Sequence, residues 1–123
     1  MKVDQHFILA LLHVFLVSPL LLFVGFQRAS TPTWLYHALL VIGAVIILYH
    51  GYKLSIRLYD HSGYAWVNII HILFIAPLLL YIGYHKRETP RAAYELLLML
   101  GFASIGYHTF SLVRQLEIHP ESE

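Results

Sequence analysis

One segment of the chain occurs twice, and this repeat restricts the possible folds more than any other feature. Residues 13–57 align without a gap with residues 71–115, at a fixed offset of 58 residues. The identical pairs include His13/His71, Pro19/Pro77, Gly25/Gly83, Pro32/Pro90, Tyr36/Tyr94, Gly43/Gly101, Tyr49/Tyr107 and His50/His108. Matches of histidine, proline, glycine and tyrosine at one offset indicate a tandem duplication. We therefore expect two copies of one unit, over about residues 6–57 and 64–115.

The composition indicates that lipid is the solvent for this chain. Of the 123 residues, 59% are hydrophobic and 12% are charged, whereas soluble domains carry about 25% charged residues. A domain this short cannot bury so much apolar surface away from water. The net charge of +1 gives no electrostatic basis for binding nucleic acid. The sequence contains no cysteine, which excludes disulfides and thiolate metal ligands.

Each copy contains two apolar runs that reach the roughly 20 residues needed to span a membrane. The predicted helices cover about His6–Phe26, Thr33–Ile56, Tyr64–Tyr84 and Arg91–Val113. Pro19 and Pro77 lie inside the first and third of these, so we expect a kink just before each proline. The first run is too long for the apolar core of a signal peptide. It also belongs to the repeat, so we expect it in the mature protein.

This pattern predicts an all-α integral membrane protein with four transmembrane helices, arranged as two tandem hairpins within a single domain over residues 1–123. Two spans per copy make the repeats parallel, so a pseudo-two-fold axis along the membrane normal should relate them. The lysine and arginine residues divide evenly between the two sides, which leaves orientation open. The expected partner is the lipid bilayer, without nucleic acid. A larger membrane complex or a second copy of the chain is an open alternative, and the identity of the membrane is open as well.

The distribution of histidine is the main anomaly in the chemistry of the chain. His13, His50, His71 and His108 fall one per predicted helix, at depths within about one helical turn of each other. Ionisable residues inside a membrane are costly, usually face the interior of a bundle and mark functional sites. We therefore expect these four side chains to face inward.

Two glycines accompany the histidines on the second and fourth predicted helices. Tyr36, Gly43 and His50 are seven residues apart and share one stripe, which Tyr94, Gly101 and His108 repeat. A glycine two turns from a histidine allows a bulky group to approach the backbone. Close packing of two helices would account for both glycines equally well.

The leading functional hypothesis is a cofactor site for membrane electron transfer. Facing helices of a four-helix bundle can hold haem or metal through inward histidines. Haem b would be ligated by His50 with His108, or by His13 with His71. The candidate cofactor-binding residues are His13, His50, His71, His108, Gly43, Gly101, Tyr49 and Tyr107. The same four histidines are the candidate ligands for copper or zinc, which neutral imidazole also suits.

Two other functions stay open at this stage. In a small transporter or channel, the histidines would gate by proton binding or pH. A non-catalytic accessory subunit of a larger membrane complex would bind no cofactor. The histidines would then only form hydrogen bonds with Tyr49, Tyr107, Ser104 or the backbone. No phosphate loop, nucleophile elbow or HExxH pattern is present in the sequence, so we assign no catalytic residue and leave enzymatic activity open.

Overall fold

Four long helices make up the described part of the protein. The computed structural model describes the backbone of residues 4–122 and the side chains of residues 4–117. The helices are α1 (Gln5–Ser30), α2 (Thr33–Tyr59), α3 (Ala65–Glu88) and α4 (Arg91–Ser122). All four are long and apolar enough to cross a membrane, α4 over Arg91–Glu117. The four predicted helices are thus confirmed, and each extends further at its carboxyl end than the sequence indicated.

Two of the helices, α1 and α3, are composite. In α1, α-helix covers Gln5–Leu12 and Ser18–Gln27, with a π-helical segment at His13–Val17 and a final 3-10 turn at Arg28–Ser30. In α3, the corresponding segments are Ala65–Ile70, His71–Ile75, Ala76–His85 and Lys86–Glu88. The irregular segments therefore begin at positions 58 residues apart in both helices.

A π-helical segment precedes each of the two prolines. The kink expected at these positions stays a prediction. The backbone N–H of Ser18 donates to the carbonyl of His13, and that of Ala76 donates to the carbonyl of His71. Proline follows at the next position in both helices. It has no N–H to donate, and its ring collides with the carbonyl four residues back in a regular α-helix. The wider turn before each proline relieves this collision.

The described residues form two compact units, and neither unit coincides with a predicted hairpin. Unit 1 contains α1 up to Phe26 and α4 from Glu95, whereas unit 2 runs from Gln27 to Tyr94 and contains α2 and α3. Each unit thus contains one long helix from each of the two copies predicted from the sequence. The assignment of the whole chain to a single domain stays a prediction.

Glycines lie where the helices of each unit come closest. A Cβ atom at Gly25 would lie 2.6 Å from Leu98 Cγ in unit 1. In unit 2, a Cβ atom at Gly83 would lie 2.7 Å from Leu40 Cγ and 2.8 Å from the Tyr36 carbonyl oxygen. No side chain fits at these contacts without movement, so the repeated glycines allow close packing in both units.

Candidate functional site: two stacked histidine pairs

The structure stacks the four candidate histidines in two pairs, one in each unit. In unit 1, the ring centroids of His13 and His108 are 4.2 Å apart, with 26° between the planes. In unit 2, the centroids of His50 and His71 are 4.0 Å apart, with 13° between the planes. All four residues are half-buried. The stacked rings come from the helices that pack together, α1 with α4 and α2 with α3. They differ from the combinations expected as haem ligands, which stay a prediction.

One ring of each pair is fixed by a backbone carbonyl. Nδ1 of His13 lies 2.6 Å from the Leu9 carbonyl oxygen, and Nδ1 of His71 lies 2.7 Å from the Val67 carbonyl oxygen. A carbonyl only accepts, so Nδ1 carries the proton in both rings and, in the neutral form, Nε2 carries the lone pair. Bonds to the backbone were among the contacts named for the alternative in which the histidines bind no cofactor.

A chain of polar side chains reaches the His50 ring in unit 2. Arg57 Nη1 donates to Asn68 Oδ1 at 2.7 Å and, more weakly, to the Tyr64 carbonyl at 3.3 Å. Asn68 Nδ2 lies 2.9 Å from His50 Nδ1. A guanidinium only donates, so the amide oxygen faces Arg57 and the amide nitrogen donates to His50. Neutral His50 therefore carries its proton on Nε2, the opposite arrangement from His71.

Unit 1 has different residues at the positions of this chain. Ala10 corresponds to Asn68 and Gln115 to Arg57. In the described part of the chain, the buried Oε1 atom of Gln115 has no hydrogen-bond partner. A polar bond between α1 and α4 is made by Ser18, whose hydroxyl donates to Ser104 at 2.8 Å. Ser104, which was expected as a partner for histidine, thus bonds to another serine.

The other four candidate residues are two tyrosines and two glycines, and each lies close to side chains of its own unit. The Tyr49 and Tyr107 rings lie edge-on to His50 and His108, with centroids 5.2 Å apart in both cases. A Cβ atom at Gly43 would meet Leu80, and one at Gly101 would meet Leu22. Helix packing therefore accounts for both glycines. A role in cofactor binding stays a prediction for these four residues.

The pairs do not fit bis-histidine ligation of a single iron. Ring lone pairs lie in the ring planes, whereas the two rings of each pair meet face to face at 4.0 to 4.2 Å. Two such rings cannot approach one iron from opposite sides. Within the side chains that the structure describes, no group of three or more histidine, cysteine, aspartate or glutamate residues could hold a metal ion. The Nδ1 bonds of His13 and His71, by contrast, resemble those that orient single metal-binding histidines.

A buried tyrosine pair was not predicted as a site. Tyr36 and Tyr94 hydroxyl oxygens are 2.7 Å apart, and each hydroxyl also contacts a turn carbonyl, Arg28 at 2.8 Å and Lys86 at 2.9 Å. Both of these turn residues have positive φ, 52° and 53°. Three oxygen–oxygen contacts thus share two hydroxyl protons. The sequence signal was the identity of the two tyrosines across the repeat, which we had used only to define the histidine stripe.

Asn68 and Arg57 were also missed as parts of the site. The available signal was a lone asparagine in an apolar run, with alanine at the matching position of the first copy.

No protein-family model matches the chain, and comparisons with curated proteins and with solved structures also find no match.

Proposed function

We propose that the chain is an integral, multi-pass membrane protein built from two parallel copies of a two-helix segment, related by a pseudo-two-fold axis along the membrane normal. Large apolar side chains on the helices support the membrane location, since Phe15 and Leu48 are 74% and 75% exposed. Such surfaces are stable in lipid and not in water. The matching irregular segments of α1 and α3 support the repeat.

Within this architecture, we infer that the protein handles protons, as a small transporter or a channel that responds to pH. The stacked imidazole pairs carry this proposal, because histidine is the side chain whose charge normally changes near neutral pH. Two imidazolium charges 4 Å apart repel by about 4 kcal/mol at an effective dielectric constant of about 20. A pair in face contact therefore holds one additional proton far more readily than two.

Stacking also links protonation to helix packing. A charged ring in contact with the face of a neutral aromatic ring is favourable, so a pair with one additional proton can stay stacked. A second proton would force the rings apart. Since the two rings belong to different helices of one unit, this change would act on the contact between α1 and α4 or between α2 and α3.

Proton flux into vesicles tests this function. The purified chain is reconstituted with an internal pH dye, and flux is followed after a step in external pH. We expect flux above that of protein-free vesicles, reduced several-fold in His13→Phe and His71→Phe, which keep a flat ring but lose the proton site. His61→Ala is the matched control, because this exposed histidine lies in the α2–α3 connection. Flux that equals the protein-free level, or that both variants leave unchanged, would contradict the proposal.

A second candidate is a haem b or metal site in electron transfer. It is favoured by the Nδ1 bonds of His13 and His71, which orient Nε2 as a single ligand atom in each ring. A haem would supply one-electron chemistry and would require a redox partner.

Spectroscopy separates the candidates. This second candidate predicts a Soret band that is lost in His13→Ala and His71→Ala, or stoichiometric copper or zinc by elemental analysis. A colourless, metal-free protein with proton flux would leave only the first function. Absence of both signals would favour an accessory subunit of a larger membrane complex.

A further inference from the structure

We infer that Arg57 and Asn68 are positioning residues that hold His50 in its Nε2–H tautomer, so that the stacked rings of unit 2 are not interchangeable. The inference takes its functional meaning from the proposed proton handling. Its structural content rests on three bonds in unit 2. They are the Arg57–Asn68 bond of 2.7 Å, the Asn68–His50 bond of 2.9 Å and the His71–Val67 bond of 2.7 Å.

The direction of the chain is fixed at its Arg57 end. Arginine has donors only and stays charged, so Asn68 must turn its amide oxygen towards Arg57. The other atom of the amide, Nδ2, can only donate. Asn68 is 1% exposed, so water cannot readily replace either bond. Nδ1 of His50 is therefore held as an acceptor.

The opposite constraint acts on the second ring of the pair. His71 donates from Nδ1 to a carbonyl, which leaves Nε2 as its basic nitrogen. The basic nitrogen of His50 is Nδ1, which Asn68 already uses. Proton uptake at His50 would place two N–H donors against each other and break the bond to Asn68. Uptake at His71 leaves all three bonds intact. Of the two rings, His71 is thus the one whose protonation breaks none of these bonds.

The neighbouring charges do not reverse this assignment. Tyr49 and Lys53 lie within one turn of His50 on α2, and Arg57 lies one turn beyond Lys53. Residues 65–75 of α3 contain no ionisable side chain other than His71. The charged groups that the sequence places close to His50 along α2 are therefore cations.

Unit 1 offers a natural comparison. Ala10 has no side-chain donor at the position of Asn68, and Gln115 replaces the guanidinium of Arg57. The constraint on His50 consequently has no counterpart made from these two positions in unit 1. If the stacked histidine pairs handle protons, the bonds of Asn68 distinguish the two rings of unit 2 as proton acceptors. Ala10 and Gln115, at the matching positions of unit 1, do not provide these bonds.

Nitrogen NMR of the full-length chain in lipid tests the inference. Protonated and unprotonated ring nitrogens have well-separated ¹⁵N chemical shifts, and His50→Gln identifies the signals of His50. We expect the wild-type ring to be protonated on Nε2. In Asn68→Asp, the carboxylate can only accept a hydrogen bond, so the proton of His50 should move to Nδ1. The population of the Nδ1–H tautomer should then rise by roughly tenfold or more. Ser55→Ala, an exposed change on the same helix, should leave the His50 signals in place.

A second set of variants keeps the test decisive if Asn68→Asp does not fold. Arg57→Met frees the amide of Asn68 to turn, so His50 should show both tautomers. In the opposite direction, Ala10→Asn combined with Gln115→Arg should impose the Nε2–H form on His108. A wild-type His50 protonated on Nδ1, or a single unchanged tautomer in Arg57→Met, would overturn the inference.

This readout is independent of transport. The expected tautomer in a protein without proton flux would refute the proposed function and leave the positioning role. Proton flux with the other tautomer would refute only the positioning role.

Discussion

Units 1 and 2 carry the same stacked histidines but differ in the polar bonds that join their helices. In unit 1, Ser18 bonds to Ser104 between α1 and α4, where unit 2 has Ala76 and Ile46. In unit 2, Asn68 bonds to His50 between α3 and α2. The histidines and glycines come from residues that the repeat shares, whereas these polar bonds come from residues that it does not share. The common residues therefore define the scaffold, and the unshared residues make the two sites different.

The difference also concerns charge. The serine bond of unit 1 is neutral and does not involve a histidine. The chain of unit 2 connects an imidazole to the guanidinium of Arg57. Substitutions at matched positions of the two units therefore show which features are common to both and which belong to one.

The largest expected effect concerns the close helix contact at Gly83 and at its counterpart Gly25. A Cβ at Gly83 would meet the Tyr36 carbonyl oxygen at 2.8 Å, and a backbone atom cannot move without its helix. We expect Gly83→Ala to lower the free energy of unfolding by about 3 kcal/mol. Gly25→Ala should cost less, because the closest atoms belong to the Leu98 side chain, at 2.6 and 2.7 Å. Unfolding in mixed detergent, followed by circular dichroism, measures both.

Gly51→Ala is the control for these substitutions. Nothing lies within 4 Å of a Cβ at that position, so the change should stabilise α2 by up to about 1 kcal/mol. Equal losses of unfolding free energy in Gly25→Ala and Gly83→Ala would contradict this expectation. They would mean that the helices of unit 2 move apart at Gly83 as easily as the Leu98 side chain moves away from Gly25.

The next largest effect belongs to the polar chain of unit 2. Asn68→Leu removes the bonds to Arg57 and to His50, and it leaves both groups partly buried. We expect a loss of about 2 kcal/mol in the free energy of unfolding, measured by the same detergent titration. Ser55→Ala, on the exposed side of α2, should change stability little. An Asn68→Leu protein as stable as the wild type would show that water satisfies these groups in unit 2.

A smaller effect is expected for the serine bond of unit 1. Ser18→Ala leaves the Ser104 hydroxyl without its donor and should cost about 1 kcal/mol. The reciprocal change Ala76→Ser buries a hydroxyl in unit 2 at a site that is 0% exposed. Ile46 offers no side-chain acceptor there, so this change should also destabilise. If thermal unfolding shows that Ala76→Ser is neutral, the two units tolerate polar groups more evenly than their sequences indicate.

The smallest effect is expected at the tyrosine pair of unit 2. Tyr36→Phe or Tyr94→Phe removes one of two protons that serve three contacts, so each should cost only about 0.5 kcal/mol. The double variant should cost less than the sum of the single variants, because the contact between the two hydroxyls is lost in either single variant. A double-variant cycle in thermal unfolding measures this difference. Additive costs would show that the hydroxyl protons are not shared.

Much of the fold could be predicted, because long apolar runs and repeated prolines act locally. The starts of α2 and α4 were predicted at Thr33 and Arg91, where the structure has them. The partners of the histidines could not be predicted. Identity across a repeat shows which residues share an environment, such as His50 and His108, but not which helices pack together. The His50–His71 contact depends on the packing of α2 with α3, which no local pattern specifies.

The polar chain was beyond sequence reasoning for a related reason. Asn68 differs from Ala10, its counterpart in the first copy. Identity between the copies therefore gives no sign that this position matters. Its role depends on four atoms from three side chains of α2 and α3 meeting at hydrogen-bond distance. Arg57 follows the predicted end of the second helix, whereas in the structure it lies within α2 and its side chain reaches Asn68 on α3.

The π-helical segments have a consequence for the history of the chain. A turn closed by a bond to the fifth residue back contains one residue more than an α-helical turn, so each segment is what a single-residue insertion into an α-helix leaves behind. If the two halves are copies, as we propose, the shared register at His13 and His71 dates the insertion to before the duplication. The ancestral half-length protein would then already have carried the widened turn together with its histidine.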